Sequence, residues 1–290
     1  MAQQERFEIA KPDIISLFEG LDRNIFSRAD IENIVADHRN FWRLSATMST
    51  RSFIELMLKR TKLRKVVLKF RYRTFTKYIW GDASEYEILS SLDPRSYFTH
   101  YTAMYFQGLT EQIPKTIYLN IEQPPKYSRG ELEQSRIDMA FSGPVRVSKN
   151  IAHYKGKKIF LLNGMYTGQL GVIEMEAPDR SPVRVTNIER TLIDIAVRPV
   201  YSGGIFEVLN AYRNARGQSS VNKLAAMLKK MELTYPYHQA IGFYLERAGY
   251  KESSIRLLRK FDTKYDFYLM HGMKETSYSK EWRLYFPKGF

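Results

Sequence analysis

The order of amphipathic segments in the first eighty residues constrains the fold of this chain more than any other feature. Apolar residues at helical spacing occupy residues 12–21, a segment after Ser27, and residues 50–60. Two apolar, β-branched segments follow at 63–70 and 77–80, and a basic stretch joins them. Three helices followed by a two-stranded hairpin predict a winged helix-turn-helix domain.

Helix-boundary residues stand where this arrangement requires them. Pro12 suits the first turn of the first helix. Ser27 and Asp30 have the spacing of a capping box at the start of the second helix. Ser49 or Thr50 can cap the third helix.

Positive charge is concentrated in the same region. The whole chain has a formal net charge of +14, and residues 39–79 contain twelve lysines and arginines against one acidic residue, Glu55. Residues 1–38 contain four basic and eight acidic residues. A surplus of this kind attracts polyanions, nucleic acid first and an anionic membrane surface second. A solvated, lysine-rich face is the alternative interpretation of the same run.

In a DNA-bound helix-turn-helix domain, the recognition helix lies in the major groove. The polar start of the third helix therefore supplies candidates for base contacts, and the hairpin and its flanks supply candidates for phosphate contacts. The hairpin arginines Arg71 and Arg73 would contact phosphates or enter the minor groove. The predicted DNA-binding residues are Thr50, Arg51, Ser52, Lys59, Lys62, Arg64, Lys65, Arg71, Arg73 and Lys77.

A second domain follows, and we place the two domains at residues 1–92 and 93–290. A helix at 96–107 opens the second domain, and turn residues then divide the chain into six predicted strands. These strands are 116–122, 136–141, 145–152, 158–162, 170–176 and 183–185.

Helical segments return after the strands. Thr186 and Glu189 form a predicted capping box for a helix at 187–197, and further helices extend to residue 261. An aromatic, strand-rich tail ends the chain. The predicted fold class is therefore α+β: a winged helix, then a mixed domain with a mainly antiparallel sheet and a C-terminal helical portion.

Catalytic signatures are scarce. The absence of cysteine excludes disulfides, thiolate metal sites and cysteine nucleophiles. Glu174, Glu176 and Asp179 are the best candidates for a Mg²⁺-binding nuclease centre, but a solvated strand edge explains them more simply. Arg190 and Asp194 are four residues apart and indicate a surface ion pair on an amphipathic helix. We therefore expect neither enzymatic activity nor a metal or cofactor.

Three segments of the second domain resemble the AbiEi antitoxin family. They are residues 98–114 (FTHYTAMYFQGLTEQIP), 185–204 (VTNIERTLIDIAVRPVYSGG) and 244–250 (YLERAGY). The winged helix predicted for the first eighty residues matches the usual first domain of that family. Gln107 departs from the family, whose members often have His before the Gly-Leu pair, and no role is assigned to it.

This resemblance implies the antitoxin of a type IV toxin–antitoxin system, which acts in abortive phage infection. Such a protein represses its own promoter and opposes a nucleotidyltransferase toxin without an obligatory stable complex. The motif residues carried over are His100, Tyr101, Arg190 and Asp194. Two other functions remain open from the residues: a DNA-targeted, Mg²⁺-dependent nuclease of a defence system, and a ligand-sensing transcription factor.

The sequence also bears on location. The first ten residues lack the basic and apolar stretches of a signal peptide, and no window reaches the roughly 20 apolar residues that span a bilayer. We therefore expect a cytoplasmic protein with no membrane partner. Its expected partners are double-stranded DNA and, functionally, the toxin.

Overall fold

The computed structural model describes residues 3–125 and 131–290. The chain divides into two compact units, Met1–Pro94 (unit 1) and Arg95–Phe290 (unit 2), two residues beyond the boundary expected from the sequence. Helices and strands occur in both units, which confirms the α+β fold class. None of the helices in the described residues combines the length and the apolar composition that crossing a bilayer needs.

Unit 1 has the element order of a winged helix. Its elements are α1 (Gln3–Gly20), β1 (Ile25–Phe26), α2 (Arg28–His38), α3 (Thr50–Arg60), β2 (Leu63–Lys69), β3 (Thr74–Trp80) and α4 (Glu85–Ser90). The strands form an antiparallel sheet in the order β1-β3-β2, so β3 is central and β2 lies at an edge. Strand β1 has only two residues, too few to show a strand pattern in the sequence.

Aromatic side chains fill the core of unit 1. Phe7 and Phe18 of α1, Phe26 of β1, Phe53 of α3 and Trp42 are all buried. The rings of Phe7 and Phe53 meet edge to face with centroids 5.8 Å apart, and Trp42 stacks on Phe53 at 5.9 Å. Such pairs add about 0.5–1.5 kcal/mol beyond their area burial, and here they fix α3 against α1.

The predicted capping residues hold the starts of α2 and α3. The Ser27 hydroxyl accepts the N–H of Asp30 at 3.1 Å, and the Asp30 carboxylate accepts the N–H of Ser27 at 2.6 Å. This is the complete capping box expected from the sequence. Of the two candidates for α3, Ser49 is the cap, since its hydroxyl accepts the N–H of Ser52 at 3.1 Å.

Pro12 does not open the first helix. Helix α1 begins at Gln3 and carries Pro12 in its interior, where the missing N–H and the ring cost a helix about 3 kcal/mol. Phe7 and Ala10, on the N-terminal side of Pro12, are buried in the core of unit 1. Their packing offsets that cost, so the helix runs through the proline.

A six-stranded sheet organises unit 2. Its strands are β4 (Tyr97–Phe98), β5 (Thr116–Asn120), β6 (Ile151–Tyr154), β7 (Lys157–Leu162), β8 (Val172–Glu176) and β9 (Pro182–Thr186). The strand order is β6-β7-β5-β4-β9-β8. The pairs β5-β7 and β4-β9 are parallel and the other three are antiparallel, so the sheet is mixed with an antiparallel majority.

Helix α7 (Ile188–Val197) lies at the centre of the helical part of unit 2. The other helices are α5 (His100–Phe106), α6 (Gln134–Ser142), α8 (Ile205–Asn214), α9 (Val221–Met231), α10 (Tyr237–Arg247) and α11 (Glu252–Ile255). Helix α7 packs against α5, α8, α9 and α10. The strand-rich tail forms a small second sheet of β10 (Phe267–Tyr268), β11 (Thr276–Ser279) and β12 (Leu284–Pro287).

Residues 136–141 were expected to form a strand and belong to α6 instead. Ile137, Met139 and Phe141 alternate as a strand requires, but Ile137 and Phe141 are also four residues apart, as on one helix face. In the structure Ile137 and Phe141 are buried and Met139 is 79% exposed. The helical period therefore determines this element.

Three boundaries also differ from the sequence prediction. Residues 97–98 form β4, so α5 starts at His100 instead of residue 96. Of the predicted strand 145–152, only the end is a strand, because Ser148 instead donates its N–H to the Tyr201 hydroxyl at 2.8 Å. Asn187, not Thr186, caps α7, since Thr186 is the last residue of β9.

Candidate functional site

Helix α3 buries one face and exposes the other. Phe53, Ile54 and Met57 are buried in the core of unit 1, whereas Arg51 and Lys59 are exposed. This is the division that the apolar stripe of the sequence predicts. The exposed face is the one that a recognition helix presents to DNA.

Arg51 is the most exposed of the three predicted base-contacting residues, since Thr50 and Ser52 are half-buried at the start of α3. Its Nε donates to Glu55 Oε1 at 3.0 Å, and the two side chains are 81% and 54% exposed. Exposed pairs at this spacing contribute about 0.3–0.5 kcal/mol. Another hydrogen-bond acceptor can therefore displace Glu55 at little cost.

The register of the hairpin separates its lysines onto two faces. Lys65 and Lys69 of β2 share one face and are exposed. Lys77 of β3 lies opposite Val66, on the other face, and is half-buried. Burial lowers the pKa of Lys77, although the carboxylate of Asp30 acts against this. Lys77 therefore does not share the exposed face of Lys65 and Lys69.

Arg71 and Arg73 have different surroundings at the tip of the hairpin. The guanidinium of Arg71 lies 5.7 Å from the ring centroid of Tyr72, which is itself 76% exposed. The guanidinium of Arg73 lies over the ring of Phe75 at 4.4 Å and 3.7 Å from the Asp93 carboxylate. Arg73 is therefore partly neutralised within unit 1.

Lys62 and Arg64 are also paired within unit 1. Lys62 Nζ lies 2.8 Å from the Glu19 carboxylate, and Arg64 Nη2 lies 2.9 Å from the Asp82 carboxylate. Four other exposed cations of α3 and the hairpin have no ion-pair partner within residues 3–125 and 131–290. With Arg51 they form what we call the exposed basic set: Arg51, Lys59, Lys65, Lys69 and Arg71.

In unit 2, three of the four motif residues belong to one hydrogen-bond chain. Arg190 Nε donates to Asp194 Oδ1 at 2.8 Å, and the Thr99 hydroxyl donates to Asp194 Oδ2 at 3.0 Å. His100 Nδ1 lies 3.1 Å from that hydroxyl, whose proton is already committed, so Nδ1 is the donor. Because burial lowers the pKa of His100 to about 4, the ring is neutral near pH 7 and its Nε2 is then an acceptor.

The Arg190–Asp194 pair is buried, which corrects the expectation of a surface ion pair. The two side chains are 5% and 12% exposed. Arg190 Nη1 also donates to the Thr167 hydroxyl at 2.9 Å and to the Leu170 carbonyl at 2.6 Å. Burial disfavours the charged guanidinium, but Asp194, Tyr97 and Glu122 together outweigh this effect and raise the pKa of Arg190.

His100 has a strained backbone and a perturbed side chain. Its φ of 51° lies in the left-handed region, which a residue other than glycine rarely adopts. Burial, together with the positive charges of Arg190 and Arg198, lowers its pKa to about 4, although Asp194 acts against them. Strained positions of this kind cost about 1–3 kcal/mol and cluster at functional sites.

Tyr101 is the motif residue that the structure sets apart. Its hydroxyl lies 3.2 Å from Gln112 Oε1 and 3.5 Å from Glu207 Oε1, so it does not join the chain at Asp194. Gln107, the departure from the family pattern, donates its side-chain N–H to the Thr186 carbonyl at 2.9 Å. That bond links α5 to the end of β9.

A polar cavity of about 560 Å³ lies beside the His100 chain. Asn120 Nδ2 donates to the Tyr97 hydroxyl at 2.7 Å, and that hydroxyl donates to the Glu122 carboxylate at 3.1 Å. The cavity takes its walls from separate stretches of sequence, so no single motif predicts it. Its lining includes Tyr97, His100, Asn120, Arg146, Ser148, Gly164, Thr167, Arg190, Asp194, Arg198, Tyr201, Met231, Leu233, Tyr235 and Tyr237.

The carboxylates considered for a nuclease centre lie elsewhere. Glu174 and Glu176 are exposed on β8, which is an edge strand of the six-stranded sheet. Glu174 lies opposite Arg184 in the ladder with β9. Within the part of the chain that the structure describes, no group of three or more carboxylate, histidine or cysteine side chains could hold a metal ion.

Comparison with known proteins adds a structural relative. No protein-family model and no curated protein matches the chain. Among solved structures, the chain is similar to the crystal structure of the RV2827C protein from Mycobacterium tuberculosis, with a TM-score of 0.61 and 11% sequence identity. The match covers 95% of this chain and 90% of that one, so the likeness in fold extends over both units.

Proposed function

We propose that this chain is the antitoxin of a type IV toxin–antitoxin system that binds its own promoter in the cytoplasm and opposes a nucleotidyltransferase toxin. The observation that carries the DNA-binding part is the exposed basic set on α3 and the hairpin of a winged helix. Four of its five members have no ion-pair partner among the described residues, so phosphates can take that place.

Helix α3 and the hairpin have different roles in DNA binding. Arg51 stands in the first turn of α3, where side chains reach base edges in the major groove. Lys65, Lys69 and Arg71 stand on the hairpin, where phosphate contacts fix the register of the domain without reading sequence. Lys77 and Arg73 contribute less, because each faces carboxylates of unit 1.

The experiment measures the affinity of the full chain for its promoter DNA by fluorescence anisotropy at several salt concentrations. Replacing Lys69 and Arg71 with alanine removes two phosphate partners, so the slope of log K against log [salt] should flatten by about two. The matched control replaces Lys223 and Lys230, two exposed lysines of α9 in unit 2, and removes the same charge. Equal losses in the two variants would refute a DNA-binding role for the hairpin.

The antitoxin part is supported by the resemblance to the AbiEi family and by the separation of the chain into two units. We expect the Lys69 and Arg71 double variant to lose promoter repression yet still restore growth when it is expressed with the toxin. The toxin for this assay is a nucleotidyltransferase encoded beside the antitoxin gene. Failure of the folded wild-type chain to restore growth would refute the antitoxin function.

A ligand-responsive transcription factor is the second candidate. The polar cavity in unit 2 favours it, because pockets of about 300–1,000 Å³ hold small molecules. In this case a small molecule would change the affinity of the full chain for its promoter, and no toxin would be needed. The nuclease alternative has no comparable support, since Glu174 and Glu176 face solvent on an edge strand.

A further inference from the structure

The cavity of unit 2 carries positive charge that its own acidic residue does not neutralise. Its charged lining residues are Arg146, Arg190, Arg198 and Asp194. The Asp194 carboxylate is already bonded to Arg190 and to the Thr99 hydroxyl. Within residues 3–125 and 131–290, neither Arg146 nor Arg198 has an ion-pair partner. Arg146 and Arg198 therefore line the cavity without an ion-pair partner in that part of the chain, and the second nearby carboxylate, Glu122, is bonded to Tyr97 and Thr167.

Arg198 is held at the cavity by the end of α7. Its backbone N–H donates to the Asp194 carbonyl at 3.0 Å, and its side chain is half-buried. Its positive charge acts on His100 and on Tyr237, which also belong to the lining of the cavity. A half-buried guanidinium is stabilised by a bidentate carboxylate or phosphate partner, whose geometry its planar fork matches.

Arg146 lines the same cavity but belongs to a segment that precedes α7 in the sequence. It belongs to residues 145–150, which form neither helix nor strand. The Tyr201 hydroxyl accepts the N–H of Ser148 at 2.8 Å and fixes this segment against the cavity wall. The side chain of Arg146 is exposed and belongs to the lining, so it is available to bind an anion in the cavity.

Much of the remaining lining is aromatic and apolar, beside the amide side chains of Asn120, Gln123 and Asn163. Three tyrosine rings and several aliphatic side chains form a wall suited to a flat ring: Tyr201, Tyr235, Tyr237, Leu162, Met231 and Leu233. The neutral ring of His100, with Nε2 as an acceptor, adds a polar group that suits an N–H or O–H donor. Small-molecule sites combine an apolar wall with a few fixed polar groups in this way.

We propose that this cavity binds a small molecule that joins a phosphate group to a flat, hydrogen-bonding ring, at the size of a nucleoside monophosphate. Arg198 and Arg146 hold the phosphate, and the tyrosine wall packs against the ring. This proposal names the class of ligand for the ligand-responsive transcription factor, and its biological role rests on that proposed function. Ligand binding is measured without DNA or toxin, so its failure is distinguishable from failure of the DNA-binding function.

The test is calorimetric titration of the full chain with the four ribonucleoside monophosphates, the matching nucleosides and inorganic phosphate. At least one monophosphate should bind ten times more tightly than its nucleoside and than phosphate alone. Arg198→Gln should weaken that binding at least tenfold, and Arg146→Gln should weaken it too. The matched control is Arg213→Gln, an exposed arginine of α8 outside the cavity lining, which should leave affinity unchanged.

Three results would overturn the proposal. They are no binding of any monophosphate at millimolar concentration, full binding by the Arg198→Gln variant, and equal losses in the Arg198→Gln and Arg213→Gln variants. The last two would assign the affinity to charge elsewhere on the chain. The melting temperature of each unliganded variant verifies the fold, and Arg146→Gln supplies an independent result because its side chain is exposed.

Discussion

The buried ion pair of α7 permits a quantitative test. Asp194→Asn keeps the shape of the side chain but removes the carboxylate that faces Arg190 across 2.8 Å. The guanidinium then stays charged at a position where its side chain is only 5% exposed. Removing one partner of a buried pair costs about 3–5 kcal/mol, because the remaining charge is left uncompensated. The folded-to-unfolded ratio of this region should fall roughly 100- to 4,000-fold.

The same chain offers a control at the same spacing. Arg51 and Glu55 are also four residues apart on a helix, but their side chains are 81% and 54% exposed. Glu55→Gln should therefore change stability by about 0.5 kcal/mol at most. The comparison holds chemistry and spacing constant and varies burial.

Hydrogen exchange in increasing urea, resolved by peptide, measures the two helices separately. Peptides covering 188–197 report α7, and peptides covering 50–60 report α3. Adding Arg190→Met to Asp194→Asn should recover part of the loss, since the orphaned charge is then removed. Similar small losses for Asp194→Asn and Glu55→Gln would refute the buried pair as a stabilising element.

Three further predictions follow from individual residues. Arg51→Ala should weaken the binding of promoter DNA by about 1–3 kcal/mol. It should also reduce the difference in affinity between promoter DNA and scrambled DNA, as anisotropy can measure. Unfolded His100 takes up a proton near pH 6.5 and the folded residue only near 4. Lowering the pH from 7 to 5 should therefore cost the wild type about 2 kcal/mol that His100→Asn does not lose, as urea titration can show. Gly242→Ala should lower the melting temperature markedly, because a Cβ there would lie 2.1 Å from the Trp282 ring.

The sequence predicted the elements whose signals are local. The Ser27–Asp30 capping box, the apolar stripe of α3 and the apolar, β-branched segments of the hairpin each depend on residues that are close in sequence. Each of these patterns has one structural solution, so the winged helix follows from them. Strand β1 was missed because two residues carry no period, and α6 because Ile137 and Phe141 fit both the strand and the helix period.

The candidate sites of the second unit depend on distant partners instead. Thr99 reaches Asp194 across 95 positions of sequence, and Thr167 reaches Arg190 across 23. No local sequence pattern predicts that these side chains are in contact. The hairpin shows the same limit, since Lys77 was expected to face DNA and the register turns it toward Asp30.

Helix α7 shows how contacts between residues distant in sequence affect the assignment of function. Its charged residues look like a solvated face, but each is bonded to a group far along the chain: the Glu189 carboxylate accepts the Ser220 N–H at 2.8 Å, Arg190 donates to Thr167, and Asp194 accepts from Thr99. These residues hold α7 in place, so replacing them should destabilise the helix whether or not they also act on a ligand. Arg198 lies at the end of the same helix, faces the same cavity, and has no ion-pair partner in the described chain. If an Arg198 variant keeps its stability but loses ligand binding, the loss therefore reports the function of the cavity. A variant of a motif residue cannot show this, because it also changes the stability of α7.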